Sequence, residues 1–245
     1  MDIGVPLRTL GPVEVGPLAA FVAALTEDDW TRDNFRRDAL ADAVHGVTDN
    51  IVLKTEWHPS ASTTGIGTFE DLVWVWASER GLDPHRYLPV AREDTDLWPV
   101  FTMPDLRRFE AVLMPVVEQA LRPIRTARGV VTRLAQVRLP AGATIAPHVD
   151  AHAMAERAHR IHVPLSATPS VEYKIDGRKF EMKPGWAYDF NNRKRHSVRN
   201  KGRRARVNLF VDYYPNPGIV LRNPLQLTMP IYAPPTPLAA CRRDR

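Results

Sequence analysis

The sequence has little cysteine and no long apolar run. Its one cysteine, Cys241, cannot form a disulfide within the chain, which fits a reducing compartment. The longest helix-like apolar stretch, residues 16–25, is too short to span a bilayer. The N-terminus also lacks the basic start and apolar core of a signal peptide. We therefore expect a cytoplasmic protein that does not enter a membrane.

A large excess of charge of one sign is also absent, although the charge is unevenly distributed. The 245 residues include 33 basic and 28 acidic side chains, and 44% of residues are hydrophobic. This composition excludes a mostly disordered or collagen-like chain. Residues 26–110 hold 17 acids against 9 bases, whereas residues 171–206 hold 12 bases against 4 acids. Three interpretations of the basic residues 171–206 are open: a solvated face, a surface that binds polyanions, or a region that attracts small carboxylates.

Helical spacing dominates the first 125 residues. Apolar residues at three- and four-residue steps predict a helix over residues 103–121, bracketed by Pro104 and Pro123. Residues 15–25 predict another helix, while residues 51–55 and the Trp-rich residues 72–76 leave the element type open. We expect a mainly helical N-terminal part, residues 1–128, that packs on the rest of the chain.

From about residue 129 the pattern changes to short strands separated by turn signals. Seven strands are predicted, over residues 129–139, 160–165, 171–175, 178–182, 186–190, 196–199 and 205–214. Asp176-Gly177 between two of them is a strong hairpin signal. Close strands without intervening helices predict an antiparallel barrel or a double-sheet jelly roll over residues 129–215. A Pro-rich tail, residues 216–245, completes one composite domain of the α+β class.

A His-x-Asp pair, His148 and Asp150, lies at a predicted strand end after a turn. It offers one imidazole and one carboxylate to the same point. With a distant third ligand, His196, it forms a two-His-one-carboxylate triad, which leaves three positions of iron(II) open for O2 and a bidentate co-substrate. The three residues are thus candidate metal ligands and the candidate catalytic centre.

Arg206 begins a very apolar predicted strand, residues 206–214. A buried arginine is costly unless it meets an anion, and a guanidinium fits a carboxylate bidentately. The sequence leaves two possible anionic partners for Arg206: the carboxylate of a small ligand, or an internal acid such as Asp189 or Asp212. Asn208 shares a strand face with Arg206, because strand side chains alternate; it is therefore a candidate for the same site.

Four motifs in order along the chain resemble the aspartyl/asparaginyl β-hydroxylase family. They are His148-x-Asp150, the strand RIHVPL over residues 160–165, the segment GWAYDFNN ahead of His196, and Arg206. The resemblance covers roughly residues 130–215. It implies an Fe(II)- and 2-oxoglutarate-dependent dioxygenase built on a double-stranded β-helix, the cupin-like jelly roll. Small bacterial members that hydroxylate free proline keep the complete triad, whereas eukaryotic peptide-modifying members have glycine at the position of Asp150.

The resemblance also implies roles for single residues. His148, Asp150 and His196 would hold the iron, and Arg206 would bind the distal carboxylate of 2-oxoglutarate. His162 would approach the co-substrate, and Arg160 would point towards co-substrate or substrate. The implied substrate is an amino acid, free or as an Asp, Asn or Pro-type residue of a peptide or carrier-bound intermediate, and the implied products include succinate and CO2. Further candidate pocket residues are Lys54, Trp57, Arg138, Tyr188 and Asn208.

Two other function classes remain open. A non-oxidative cupin-like metal enzyme, such as an isomerase, needs the metal but neither 2-oxoglutarate nor Arg206. A basic module without enzymatic activity would bind nucleic acid with a steep salt dependence, but the sequence carries no recognition motif, so we expect no nucleic-acid partner. The basic stretch 193–204 is either a solvated loop or an attractor of an anionic substrate.

The remaining histidines carry no clear chemical signal. His152 follows His148 at the spacing of a zinc-helix pair but lacks the adjacent glutamate of that motif. We expect the others to lie at the surface or to pack against neighbours: His45, His58, His85 and His159.

Overall fold

Two antiparallel sheets form the centre of the molecule in the computed structural model, which describes residues 1–32, 35–39, 44–58, 67–166 and 170–217. Almost all of the predicted tail and Cys241 lie outside these residues. Among the described residues, no helix combines the length and apolar character needed to cross a membrane.

The larger sheet has eight strands in the order β1-β10-β7-β12-β5-β2-β4-β3. Both halves of the chain contribute to it, and its outermost strand β1 pairs with β10 near the other end of the chain. Its strands are β1 (Leu7–Pro12), β2 (Asp49–Glu56), β3 (Ala91–Asp94), β4 (Pro99–Thr102), β5 (Val130–Leu139), β7 (His159–Ser166), β10 (Trp186–Phe190) and β12 (Arg206–Tyr214).

The smaller sheet has four strands in the order β6-β11-β8-β9. They are β6 (Thr144–His148), β8 (Val171–Ile175), β9 (Arg178–Phe180) and β11 (His196–Asn200). The predicted hairpin between β8 and β9 is confirmed: Asp176 and Gly177 have φ angles of 52° and 77°, as a tight turn with two left-handed residues requires.

An apolar layer fills the space between the two sheets. Its buried side chains come from both sheets: Leu139, Ile145, Val171, Tyr173, Ile175, Met182, Tyr188, Phe190 and Val198. Burial of such residues is the main favourable contribution to folding. The layer makes the two sheets a jelly roll, which confirms the predicted α+β, cupin-like fold class.

Several helices pack around the large sheet. They are α1 (Gly16–Ala23), α2 (Glu27–Thr31), α3 (Phe35–Ala39), α4 (Phe69–Glu79) and α5 (Leu106–Leu121), with a short α6 (Ala153–Arg157) and one 3-10 turn (Pro84–Arg86). Phe109, Leu113 and Val117 of α5 pack with Leu18 of α1 on the sheet residue Leu209. A second apolar cluster joins α4 to the strands β2 and β4 at the edge.

The sequence had indicated a mainly helical N-terminal part, but the structure also contains strands there. This part supplies four of the eight strands of the large sheet, β1 to β4, and the undecided residues 51–55 and 72–76 lie in β2 and α4. All seven strands predicted after residue 129 are present within a few residues. The strand β6 and the helix α6, around the His-x-Asp pair, were not predicted.

Candidate functional site

A cavity of about 600 Å³, including its open mouth, lies between the two sheets. Strand alternation explains which side chains reach it. Along β7 the apolar Ile161 and Val163 pack under the helices, so the polar Arg160 and His162 face the cavity. The lining residues are Arg36, His45, Thr48, Asn50, Val137, Ile145, His148, Arg160, His162, Phe190, His196, Val198, Arg206, Asn208 and Phe210.

His148 and His196 face each other on neighbouring strands of the small sheet. They are direct pairing partners of β6 and β11, and their ring centroids are 4.1 Å apart. This closeness follows from the antiparallel register, in which opposite residues have adjacent side chains. The structure therefore brings together two imidazoles that are far apart in the sequence.

A β-bulge turns His148 into the cavity. Ile145 and His148 are three residues apart, so a regular strand would point them to opposite faces. The pairing with β11 shifts between them, so that Ala146 and Pro147 lie opposite the single residue Ser197. This extra residue allows both Ile145 and His148 to line the cavity.

Backbone carbonyls fix the tautomers of the two imidazoles. The Nδ1 atom of His148 lies 2.8 Å from the carbonyl oxygen of Ala146, and that of His196 lies 2.8 Å from the carbonyl oxygen of Lys194. Because a carbonyl only accepts, each Nδ1 carries a proton, so that in the neutral ring Nε2 is the atom with the lone pair. Metal-binding histidines show this arrangement. Burial also lowers the pKa of His196 to about 3, which keeps its ring neutral, as metal binding requires.

Asp150 lies next to His148 on the cavity side. Its Oδ1 atom is 3.7 Å from Nε2 of His148, and its backbone N–H donates to the carbonyl of Asn192. Its Oδ2 atom accepts a hydrogen bond from the guanidinium of Arg160. One carboxylate oxygen is thus engaged by a cation, and the other faces an imidazole.

His45 joins this group, although we had expected it at the surface or in packing. In the described part of the chain, His45, His148 and Asp150 form a group whose potential ligand atoms all lie within 4.8 Å of one another. His196 is outside that group despite its ring contact with His148. No motif or spacing around His45 distinguishes it in the sequence from an ordinary surface histidine.

Arg160 holds two carboxylates rather than pointing freely to a ligand. Its guanidinium donates to both carboxylate oxygens of Asp212, over 3.0 and 2.8 Å, and to Asp150. The side chain is buried and lies over the ring of Phe210. Arg160 therefore lines the cavity, as expected, but its charge is already balanced by protein acids.

Arg206 is buried with little to balance its charge. Its Nε donates to the hydroxyl of Tyr173 over 3.0 Å, and its Nη2 has no hydrogen-bond partner among the described residues. The alternative pairing with Asp189 or Asp212 is wrong. Asp212 binds Arg160, and Asp189 lies 2.8 Å from His159.

His162 and Asn208 form a pair beside Arg206. The side-chain amide of Asn208 donates to Nδ1 of His162 over 3.0 Å and to the carbonyl of Leu209. Burial lowers the pKa of His162 well below its usual value, with Arg206 adding to the effect. The oxygen Oδ1 of Asn208 has no partner in the described part of the chain, so a neutral donor-acceptor surface faces the cavity.

The other pocket candidates lie elsewhere. Trp57 is buried in the cluster under α4, and Tyr188 packs between the sheets with its hydroxyl on the backbone of Lys183. Arg138 pairs with Asp49 and Glu27. Lys54 pairs with Glu93 over 3.2 Å and lines a separate smaller cavity.

The remaining histidines and the arginines and lysines of residues 193–204 are not among the residues that line the cavity. His152 caps α6 by accepting from the backbone of Ala155 and stacks on Trp98. In the basic stretch, Arg193 pairs with Glu156. Arg199 is exposed.

The fold and the cavity define a jelly-roll protein of the cupin type with a candidate metal centre between its sheets. A family model described as aspartyl/asparaginyl β-hydroxylase matches residues 86–215. The chain belongs to this family, which confirms the resemblance seen in the sequence and places it among the hydroxylases. No curated protein matches the chain.

Solved structures with similar folds share little sequence with the chain. An oxidoreductase of the 2OG-Fe(II) oxygenase family from Burkholderia pseudomallei is 18% identical, with a TM-score of 0.41 over 55% of this chain and 70% of that one. The non-heme monooxygenase ThoJ, in its apo form, is 17% identical, with a TM-score of 0.36 over 49% and 63%. A cupin domain of a transcriptional regulator from Enterobacter cloacae is 22% identical, with a TM-score of 0.29 over 36% and 97%.

Proposed function

We propose that this protein is an Fe(II)- and 2-oxoglutarate-dependent dioxygenase that hydroxylates an amino acid. The observation that carries the proposal is Arg206, a buried cation whose Nη2 lacks a hydrogen-bond partner among the described residues and whose cavity also contains His148 and His196. A buried, unbalanced guanidinium is unfavourable in the ligand-free protein. A dicarboxylic co-substrate supplies the missing anion.

The residues present fit an iron(II) ion. His148, Asp150 and His196 would hold it, because they offer two neutral imidazoles with Nε2 lone pairs and one carboxylate oxygen facing His148. Iron(II) with 2-oxoglutarate supplies, when bound, the oxidation in which O2 is consumed, succinate and CO2 are released and one oxygen atom enters a substrate C–H bond.

The protein's own groups prepare the site for that chemistry. Arg206 would bind the distal carboxylate of 2-oxoglutarate, with the Tyr173 hydroxyl fixing the orientation of its guanidinium. His162 and Asn208 would contact the co-substrate as a neutral pair. Arg160 holds the carboxyl group of Asp150 in place by a hydrogen bond. The apolar side chains of the cavity, such as Phe190 and Val198, limit the access of water.

The proposed substrate is an amino acid, free or within a peptide or carrier-bound intermediate. Arg36 lines the cavity as well, on the opposite side of the large sheet's strands from the helices α1 and α5. A cation at that place suits a substrate carboxylate. A small cavity between two sheets favours a small substrate over a folded protein.

The test is anaerobic loading with Fe(II) and 2-oxoglutarate, followed by exposure to O2 and assay of succinate. We expect a metal-to-ligand absorption band on loading and slow succinate formation even without substrate. In Arg206→Ala, the affinity for 2-oxoglutarate falls by about 10²- to 10³-fold, because a lost buried charge partner costs roughly 3–5 kcal/mol.

Arg199→Ala, which removes an exposed arginine of β11, is the matched control and keeps the affinity of the wild-type protein. A metal-loaded protein that does not bind 2-oxoglutarate would overturn the proposal in favour of a non-oxidative metal enzyme. Binding of nucleic acid that is independent of metal and steeply dependent on salt would favour a basic binding module.

A further inference from the structure

We propose that His45 is a reversible fourth protein ligand of the metal, which coordinates in the resting enzyme and leaves when 2-oxoglutarate binds. This inference rests on the proposed function. His45 belongs to the turn that precedes β2, and its ring meets that of His148 edge-on, with 4.7 Å between the centroids. It lines the same cavity as the predicted ligands.

The distances support coordination by His45. Its potential ligand atom lies within 4.8 Å of those of His148 and Asp150. Two atoms bound at neighbouring positions of one octahedral ion, each at about 2.1 Å, are about 3.0 Å apart. Side-chain rotations that move the ligand atoms by on the order of 1–2 Å therefore bring the three atoms into one coordination sphere.

The turn that carries His45 is held on both sides. The carbonyl of His45 accepts from the backbone N–H and the hydroxyl of Thr48, over 3.0 and 2.8 Å. Asn50, buried at the start of β2, donates to both the carbonyl and the hydroxyl of Thr48. On the other side Val44 packs against the apolar layer between the sheets. Such anchoring places the imidazole at the cavity instead of leaving it on an unconstrained loop.

The number of coordination positions explains why His45 must leave. A triad with two histidines and one carboxylate leaves three positions of an octahedral ion open. A bidentate 2-oxoglutarate and O2 together require all three. Coordination by His45 occupies one of them and leaves two, enough for 2-oxoglutarate alone but not for 2-oxoglutarate and O2 together. The combination therefore requires the imidazole to leave, and in our proposal the co-substrate displaces it.

Displacement of His45 predicts linked changes in metal affinity and 2-oxoglutarate affinity, which a residue that only lines the cavity would not cause. If His45 competes with 2-oxoglutarate for one position, removing it weakens metal binding without co-substrate and strengthens co-substrate binding to the metal-loaded protein. The two changes must match, because the coupling between two ligands is reciprocal. With saturating 2-oxoglutarate, the metal affinities of the wild-type protein and the variant then coincide.

The experiment measures Co(II) binding to the full chain by anaerobic calorimetry, with and without 2-oxoglutarate. For His45→Ala we expect Co(II) affinity at least tenfold lower without 2-oxoglutarate and equal to wild type with it. The ligand-field absorption of cobalt differs between the two proteins without 2-oxoglutarate and becomes the same after its addition. His85→Ala, which removes an exposed histidine next to Trp74, is the matched control and changes neither quantity.

Each outcome decides the proposal. Equal Co(II) affinities and equal cobalt spectra without 2-oxoglutarate would show that His45 is not a ligand. An affinity loss of the same size with and without 2-oxoglutarate would show a ligand that stays, or a structural defect, and would overturn displacement. A metal-loaded protein that binds no 2-oxoglutarate would refute the proposed function, while the comparison without co-substrate would still decide whether His45 coordinates. If His45→Ala unfolds early in a thermal scan, His45→Gln is used, because it keeps the polar side chain.

Discussion

Two buried arginines lie on neighbouring strands of the large sheet, and their surroundings are opposite. Arg160 on β7 donates to the carboxylates of Asp150 and Asp212. Among the described residues, Arg206 on β12 donates a side-chain hydrogen bond only to the neutral hydroxyl of Tyr173. Both guanidiniums face the same cavity. The charge of the first is therefore balanced within the protein, and we propose that the second receives an anion from outside.

The two arginines also differ in the number of charged residues connected to them. Arg133 lies 3.8 Å from Asp212 and 3.4 Å from Glu56, so a chain of alternating charges runs from the edge of the large sheet to the candidate metal centre. No acidic side chain in the described part of the chain forms such a pair with Arg206. A buried arginine is thus informative about function only after its protein partners are known.

The largest expected effect is the loss of stability in Arg160→Met. The buried carboxylate of Asp150 then loses this cation and that of Asp212 keeps only Arg133, 3.8 Å away, so the free energy of unfolding falls by roughly 3–5 kcal/mol. Urea denaturation of the metal-free protein measures the change. Arg160→Lys, which keeps the charge but not the fork of donors, is expected to lose less. If Arg160→Met unfolds at the same urea concentration as wild type, Arg160 does not stabilise the fold and does not differ from Arg206 in this respect.

An intermediate effect is expected in the pH dependence of stability, when wild type is compared with Glu56→Gln. Burial raises the pKa of Glu56 to about 7. Between its usual pKa of 4.5 and about 7, the folded protein keeps a proton that the unfolded chain has released, so stability falls as the pH rises. Wild type should lose about 1–3 kcal/mol relative to Glu56→Gln between pH 4.5 and 8. A difference that stays constant across this range would contradict the prediction.

The smallest effect on stability is expected for Arg206→Met. Removing a buried cation that has one neutral partner leaves no carboxylate unpaired, so the free energy of unfolding stays within about 1 kcal/mol of wild type or rises. The same urea measurement as for Arg160→Met checks this without ligand. A loss as large as that of Arg160→Met would mean that Arg206 stabilises the fold, and would remove its main claim to a ligand.

Local signals made the second half of the fold predictable from sequence. Asp176-Gly177 specifies its hairpin by itself, and the alternation in β7 and β12 places Arg160, Arg206 and Asn208 on one face. The strand β1 was not predicted, because its partner β10 is distant in the chain and Leu7 pairs with Phe190. Pairing over such a separation leaves no mark on the local periodicity.

The site was predictable to a similar degree. The sequence suggested His148, Asp150 and His196 from their order, and the structure brings these side chains to one cavity region, although their role as ligands stays a prediction. The pairing of Arg160 with Asp212 was not foreseen, because it depends on the register of β7 against β12. His45 was missed because a lone histidine in a turn has no sequence pattern that distinguishes it.

The bulge in β6 makes the direction of one imidazole depend on the number of residues in the strand. Deleting Ala146 would place His148 two residues after Ile145, so regular alternation against β11 would keep both side chains on the cavity face without a bulge. At the present spacing of three residues, His148 meets His196 only because two residues of β6 lie opposite Ser197. Relatives with the His-x-Asp letters on a strand one residue shorter would therefore remain candidates for the same chemistry, whereas relatives with this strand length and regular pairing would not.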